Sequence, residues 1–215
     1  GQGWRMLMEC LAAGRAISLP SSATAGAKAM LRVTSAYARV RRQFGLPVGR
    51  MEGIEEPLAR IVETAYVNEA ARGVTASMVS RGEKPSVISA LMKYQTTERL
   101  RRAVNDAMDI HGGRAICDGP SNYLQSAYEM VPVGITVEGA NILTRTLITF
   151  AQGALRSHPY LIREIQSAQN PDGEKGLTDF EDAFLDHIAY TVSNMSGAFF
   201  HNVTFGMFAP APDAV

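Results

Sequence analysis

A carboxylate followed by a glycine, Glu138-Gly139, stands between an apolar run and a helix-prone segment. The run Pro132-Val133-Gly134-Ile135-Thr136-Val137 reads as short and β-prone, and the helical pattern of Ile142 to Phe150 begins just after Asn141. So placed, Glu138 sits on a connection and not on the solvated face of a helix. Connections carry function more often than the rigid elements they join. An apolar approach also makes a carboxylate a better general base. The plainer alternative is a helix N-terminus, where a carboxylate is welcome beside free backbone N–H groups.

The elements that position this connection read as helices. From Trp4 to about Arg42, Leu7, Leu11, Ala27, Met30, Leu31, Thr34 and Ala38 recur at helical steps. Pro20 is expected to kink or divide that helix. Phe44-Gly45-Leu46-Pro47-Val48-Gly49 is a breaker cluster. A second helix is predicted from Glu52 to Ser80, with Ile54, Leu58, Ile61 and Ala65 on one stripe, stopped at Arg81-Gly82. A third follows Pro85 and ends at His111-Gly112-Gly113-Arg114. A shorter helix is expected over Asn122 to Met130, and another from Asn141 to about Arg156. Beyond Pro159, a piece from Tyr160 to Ala168 precedes a turn at Asn170-Pro171-Asp172-Gly173. Thr178-Asp179-Phe180-Glu181 resembles a capping box for a last helix, where Phe180, Phe184, Ile188, Val192 and Phe199 form a packing stripe. The fold class is all-α: a four-helix bundle over residues 1–156 with a helical C-terminal extension over 157–215.

Composition narrows the function classes. Of 215 residues, 46% are hydrophobic and 20% charged, with zero formal net charge, which is ordinary for a globular chain. Neutrality argues against a nucleic-acid or membrane-surface binder. Cys10 and Cys117 cannot form a disulfide framework, no Cys/His cluster has zinc spacing, and a reduced compartment fits. No apolar run approaches the roughly 18 residues of a transmembrane helix. The start at Gly1-Gln2-Gly3-Trp4 and the Pro-rich end at Ala209 to Asp213 suggest a fragment of a longer protein, cut short in its extension.

Several short stretches fall in a telling order: Gly1-Gln2-Gly3-Trp4, Ala13-Gly14-Arg15, Arg41-Arg42-Gln43-Phe44-Gly45, Asp109-Ile110-His111-Gly112-Gly113 and Val137-Glu138-Gly139-Ala140-Asn141. Together they resemble the C-terminal helical domain of acyl-CoA dehydrogenases. The extension, opening on His158-Pro159-Tyr160, resembles the larger bacterial members that act in fatty-acid β-oxidation.

The resemblance implies α,β-dehydrogenation of a fatty acyl-CoA to the trans-2-enoyl-CoA with FAD. It implies Glu138 as the base for the α-proton, in a water-poor site where hydrogen bonds to the thioester carbonyl acidify that proton. The Glu138 N–H is one such donor, and Gly139 and Arg15 are the implied substrate-binding neighbours. Some relatives carry the base on the first helix, just before the arginine matching Arg15; here that position is Gly14, which favours Glu138. Gly14 and the alanines around it suit either a deep acyl channel or tight helix packing.

Arg41, Gln43, Phe44, Asp109, Gly112 and Gly113 are the implied contacts to the FAD of a neighbouring subunit. Arg41 suits a pyrophosphate, and the glycines let backbone approach it. The plainer readings are a solvated helix-end cation for Arg41 and a helix C-cap for the glycines. Asp109 and Glu52 stand where glutamines are usual, Ala140 replaces a threonine and Ile142 a glutamine. Tyr128-Glu129-Met130 lacks the usual Arg-Asp pair. The implied partners are an acyl-CoA, an electron-transfer acceptor such as a flavoprotein, and further copies of the chain through the bundle, without nucleic acid or a transmembrane segment. The implied setting is the bacterial cytoplasm, or the periphery of the inner membrane. Two rivals are a non-catalytic helical assembly domain, with Glu138 as a cap, and a family member turned to nucleic-acid binding.

Overall fold

The computed structural model describes residues 3–83 and 85–209; the Gly1-Gln2 opening and the Pro210–Asp213 linker expected from the sequence lie outside them. The chain divides into two compact units, Gly1–Ala151 and Gln152–Val215.

The first unit is a bundle. Helix α1 spans Gly3–Val40, α2 Glu52–Ser80, α3 Ser86–His111 and α5 Gln125–Thr136, with the four-residue α4, Gly113–Ile116, between the last two. Helices α1, α2 and α3 pack on one another, and α5 packs on α3. The α1 positions that face inward are small: Ala16, Ala23, Ala27 and Ala38 are buried. Small residues let α1 approach α3 closely, and a Cβ at Gly26 would come within 3.0 Å of the Leu100 side chain. Larger side chains fill the space beyond, with Met30, Ile61, Val104, Ile110, Leu124 and Val131 forming the core. Burying a side chain such as Ile61 stabilises the bundle by roughly 1.5–3 kcal/mol. Two buried threonines bond within their own helices: Thr24 Oγ1 donates to Pro20 O at 2.7 Å and Thr96 Oγ1 to Met92 O at 2.7 Å, whereas the buried Thr34 Oγ1 has no hydrogen-bond partner among the described residues.

Three local expectations are corrected. Helix α1 is not divided at Pro20. That side chain is fully buried, so packing outweighs the lost backbone bond. The β-prone run Pro132–Thr136 is helical, as the last turns of α5, because Val131 and its neighbours are drawn onto α3. After Glu138 the backbone makes one turn of α6, Asn141–Leu143, then widens into a π-helix, Thr144–Gln152. The fourth helix packed on α3 is therefore α5, which precedes Glu138. The breaker cluster folds into a two-residue antiparallel ladder, β1 (Arg42–Gln43) with β2 (Leu46–Pro47), and a 3-10 turn, Val48–Arg50.

In the second unit, α7 (Gly153–Ser157) and α9 (Gly173–Val203) pack on α8 (Leu161–Ala168). The α9 cap is Asp172, whose Oδ1 accepts from Lys175 N at 3.2 Å. The expected capping box at Thr178 instead lies inside α9, and Thr178 Oγ1 bonds back to Glu174 O. The packing stripe is also corrected: Phe184, Ile188, Val192 and Phe199 are exposed within this unit. The reason is length, since an 8-residue α8 covers only part of a 31-residue α9. His187 Nδ1 lies 2.7 Å from Glu164 Oε1. Among the described residues no helix is long and apolar enough to cross a membrane.

Candidate active site

Helix α5 ends at Thr136, and its last backbone bond runs from Val137 N to Val133 O at 2.9 Å. The chain then reverses in two left-handed residues, Glu138 at φ 55° and Gly139 at φ 94°. Glycine adopts this conformation freely, but a glutamate there is strained by roughly 1–3 kcal/mol. Such strain persists only where the surroundings fix it. Glu138 Oε2 is buried and has no hydrogen-bond partner among the described residues.

Two buried cations stand near this carboxylate. Arg15, on α1, is 2% exposed, and its Nε and Nη1 are buried with no hydrogen-bond partner among the described residues. Burial holds the Arg15 guanidinium below its ordinary range, against the attraction of Glu138. Lys93, on α3, is fully buried. Its Nζ donates to Gly139 O at 2.8 Å, Ile135 O at 2.9 Å and Asn141 Oδ1 at 2.7 Å. Burial and the neighbouring Arg15 lower Lys93 to about 8, while Glu138 and Glu98 pull the other way. Asn141 Nδ2 in turn donates to Thr97 Oγ1 at 3.0 Å and Glu98 Oε1 at 2.9 Å.

An apolar groove of about 350 Å3 runs between α1, α3 and α5, along Leu19, Gly26, Met30, Leu100, Val133 and Val137. It reaches the residue just before Glu138. Gly14 lies further back on α1, so the groove is built by residues one to four turns beyond the small cluster from which a channel is expected.

A separate pocket of about 530 Å3 gathers Arg41, Gln43, Asp109, Gly112, Gly113 and Arg114. The loop after α1 and the end of α3 bring these together. Gly112 turns at φ 57°, which caps α3, and a Cβ on either glycine would meet open space. Arg41 makes no side-chain hydrogen bond among the described residues. Two guanidinium groups against one carboxylate leave the pocket positive, a fit for a phosphate-bearing ligand. Phe44 is not in the pocket wall; it is 94% exposed at the tip of the β1–β2 turn with φ 51°. In the pocket wall His111 is buried, stacked on Tyr37 at 4.1 Å, with Nε2 2.6 Å from Tyr123 Oη and Nδ1 2.7 Å from Ala107 O. Burial lowers His111 below its usual range.

The expected site residues thus fall into two places: Glu138, Gly139 and Arg15 in one, and Arg41, Gln43, Asp109, Gly112 and Gly113 in the other. Lys93 and Asn141 are additions. A lysine on an otherwise helical pattern reads as solvated, and only its burial reveals it. Among the described residues no cluster of His, Cys, Asp and Glu is suited to a metal ion.

Residues 1–152 match the family model for the acyl-CoA dehydrogenase C-terminal domain, and residues 155–215 match that for its bacterial-type C-terminal region. A probable acyl-CoA dehydrogenase, FadE10 of Mycobacterium tuberculosis, is 31% identical over 115 residues, which are 53% of this chain and 18% of that protein. Butyryl-CoA dehydrogenase of Megasphaera elsdenii superposes with a TM-score of 0.62 at 25% identity, covering 73% of this chain and 39% of that one. A glutaryl-coenzyme A dehydrogenase in complex with glutaryl-CoA superposes with a TM-score of 0.60 at 26% identity, with the same coverage of 73% and 39%. The chain spans about a fifth of the length of its first curated relative.

Proposed function

The chain belongs to the acyl-CoA dehydrogenase family as its C-terminal helical domain, and from that premise we propose that it is the base-bearing bundle of a flavin-dependent acyl-CoA dehydrogenase within a longer polypeptide. The observation that carries this reading is Glu138. One of its carboxylate oxygens, Oε2, is buried and without a hydrogen-bond partner among the described residues, on a left-handed turn beside the end of an apolar groove.

In this reading a saturated acyl chain lies along the groove from Val137 towards Leu19. Each buried methylene contributes about 0.8 kcal/mol to binding. The buried surroundings exclude water, and Glu138 takes the α-proton. The Glu138 N–H donates to the thioester carbonyl and draws charge from the α-carbon as the proton leaves. Gly139 permits the turn that presents this N–H, and Arg15 sets positive charge beside the carboxylate. FAD, once bound, would supply the hydride acceptor for the β-hydrogen. The second pocket would hold part of the FAD of another subunit. There Arg41 and Arg114 would hold its phosphates, Gly112 and Gly113 would leave room for it, and Gln43 and Asp109 would offer polar partners. Phe44, exposed at the turn, would meet the neighbouring subunit. On this reading the isolated chain binds FAD weakly and turns over nothing.

The test is flavin reduction by the full-length protein with acyl-CoAs of increasing length, wild type against Glu138→Gln. A variant that keeps its flavin and loses the rate supports Glu138 as the base. A variant that keeps both sinks it. Stoichiometric flavin copurifying with the isolated chain would contradict the shared cofactor site.

A further inference from the structure

We propose that Lys93 is a positioning residue for Glu138: its buried ammonium clamps the left-handed turn from both sides and so aims the carboxylate. The inference rests on the reading of Glu138 as the base.

The turn has little backbone bonding of its own. Helix α5 ends with Val137 N on Val133 O, and the next backbone bond after the turn is Thr144 N to Ala140 O at 2.9 Å. Between them the Gly139 carbonyl is held by side chains, Lys93 Nζ at 2.8 Å and Thr144 Oγ1 at 3.1 Å. The Ile135 carbonyl is one of the four that a helix end leaves free, and it too is taken by Lys93. The third acceptor, Asn141 Oδ1, lies beyond the turn. Lys93 therefore bonds to the chain before Glu138, directly after it, and at the start of the next helix.

The anchor is rigid. Lys93 and Thr97 lie one turn apart on α3. Asn141 is gripped by both, through its Oδ1 on Lys93 and its Nδ2 on Thr97 Oγ1. A buried ammonium is strongly unfavourable unless its bonds are met. Here its three N–H groups meet three acceptors. The charged groups around it are Arg15 from α1, Glu98 from α3 and Glu138 from the turn.

Protonation matters for this clamp. A neutral amine has two N–H groups and turns a lone pair on the remaining acceptor. Lys93 is lowered to about 8, so the clamp loosens as pH rises through that value. A lysine that only supported the fold would give the rate no such limb.

The experiment uses the full-length flavoenzyme as wild type, Lys93→Met and Glu138→Gln. Stopped-flow flavin bleaching is read with octanoyl-CoA and palmitoyl-CoA from about pH 7 to 10. Lys93→Met with full flavin content should bind acyl-CoA within about threefold of wild type and reduce flavin about 10- to 100-fold more slowly. The wild-type rate should fall above about pH 8 with KM unchanged, and the variant should lack that limb. A Lys93→Met enzyme with full flavin and the wild-type rate overturns the proposal. If that variant fails to fold, a wild-type rate that stays flat over the same range overturns it, and a falling rate at constant KM supports it. An inert Glu138→Gln beside a fully active Lys93→Met sinks the clamp alone. An active Glu138→Gln sinks the base reading and the clamp with it.

Discussion

The Lys93 ammonium donates to the Gly139 carbonyl across 2.8 Å, joining the N-terminal third of α3 to the turn that carries Glu138. This bond crosses 46 residues of sequence. It ties the strained turn to a helix that packs on α1, α2 and α5, and the consequences can be measured.

If Glu138 is the base proposed above, replacing it with Gln removes the proton acceptor and keeps the size of the side chain. In the full-length enzyme, flavin reduction by acyl-CoA should fall by about 10²–10⁴-fold, with flavin content unchanged. Anaerobic stopped-flow absorbance of the flavin checks this.

Gly139→Ala should destabilise the bundle by about 1–2 kcal/mol. A Cβ there has room, with only Thr144 Oγ1 at 3.5 Å, so the cost is the backbone conformation at φ 94°. Urea unfolding followed by circular dichroism reads the loss.

Gly26→Ala should shift the enzyme towards shorter acyl chains. The added Cβ would sit 3.0 Å from Leu100 Cδ1 and push that side chain into the groove that both residues line. The ratio of kcat/KM for palmitoyl-CoA to that for octanoyl-CoA should fall, while the rate on butyryl-CoA holds. An unchanged ratio would place the acyl chain elsewhere.

Lys93 also leaves a mark on stability. Its folded pKa is depressed to about 8 from the ordinary 10.5, so between these values the unfolded chain binds more protons than the folded one. Stability from this group therefore rises as pH increases from about 8 to 10.5, while below 8 both states carry the charge and its burial penalty is complete. Urea midpoints across this window should climb in wild type and flatten in Lys93→Met. Rate and stability thus move in opposite directions with pH.

His111 behaves in the same sense at lower pH. Burial depresses its pKa below 6.5, so its contribution is complete above 6.5 and is lost as pH falls through the folded value. Tyr123→Phe, which leaves the His111 Nε2 without its 2.6 Å partner, should cost about 1–2 kcal/mol at neutral pH. Thermal unfolding from about pH 5 to 8 tests both statements.

Much of this architecture is legible in the chain itself. Helical spacing, breakers and stops delimit α2 and α3 closely, because Arg81-Gly82 and Gly112 end helices by local chemistry. The glycine after Glu138, like Gly112, marks a place where backbone must turn sharply, and both glycines do take left-handed φ values. Local patterns misled where packing won. Pro20 reads as a breaker yet lies within α1, and Pro132–Thr136 reads as β-prone yet completes α5.

The long helices α1, α2 and α3, their order and the carboxylate on the connection after α5 are written in the chain, since these depend on neighbours three or four residues apart. The tertiary structure alone decided which distant groups share an environment. The burial of Arg15 and Lys93 beside Glu138, and the assembly of Arg41 with Asp109 and Gly112, arise from contacts between helices far apart in the chain. A lysine in a helical pattern carries no sign of burial, because burial is set by what the other helices place above it.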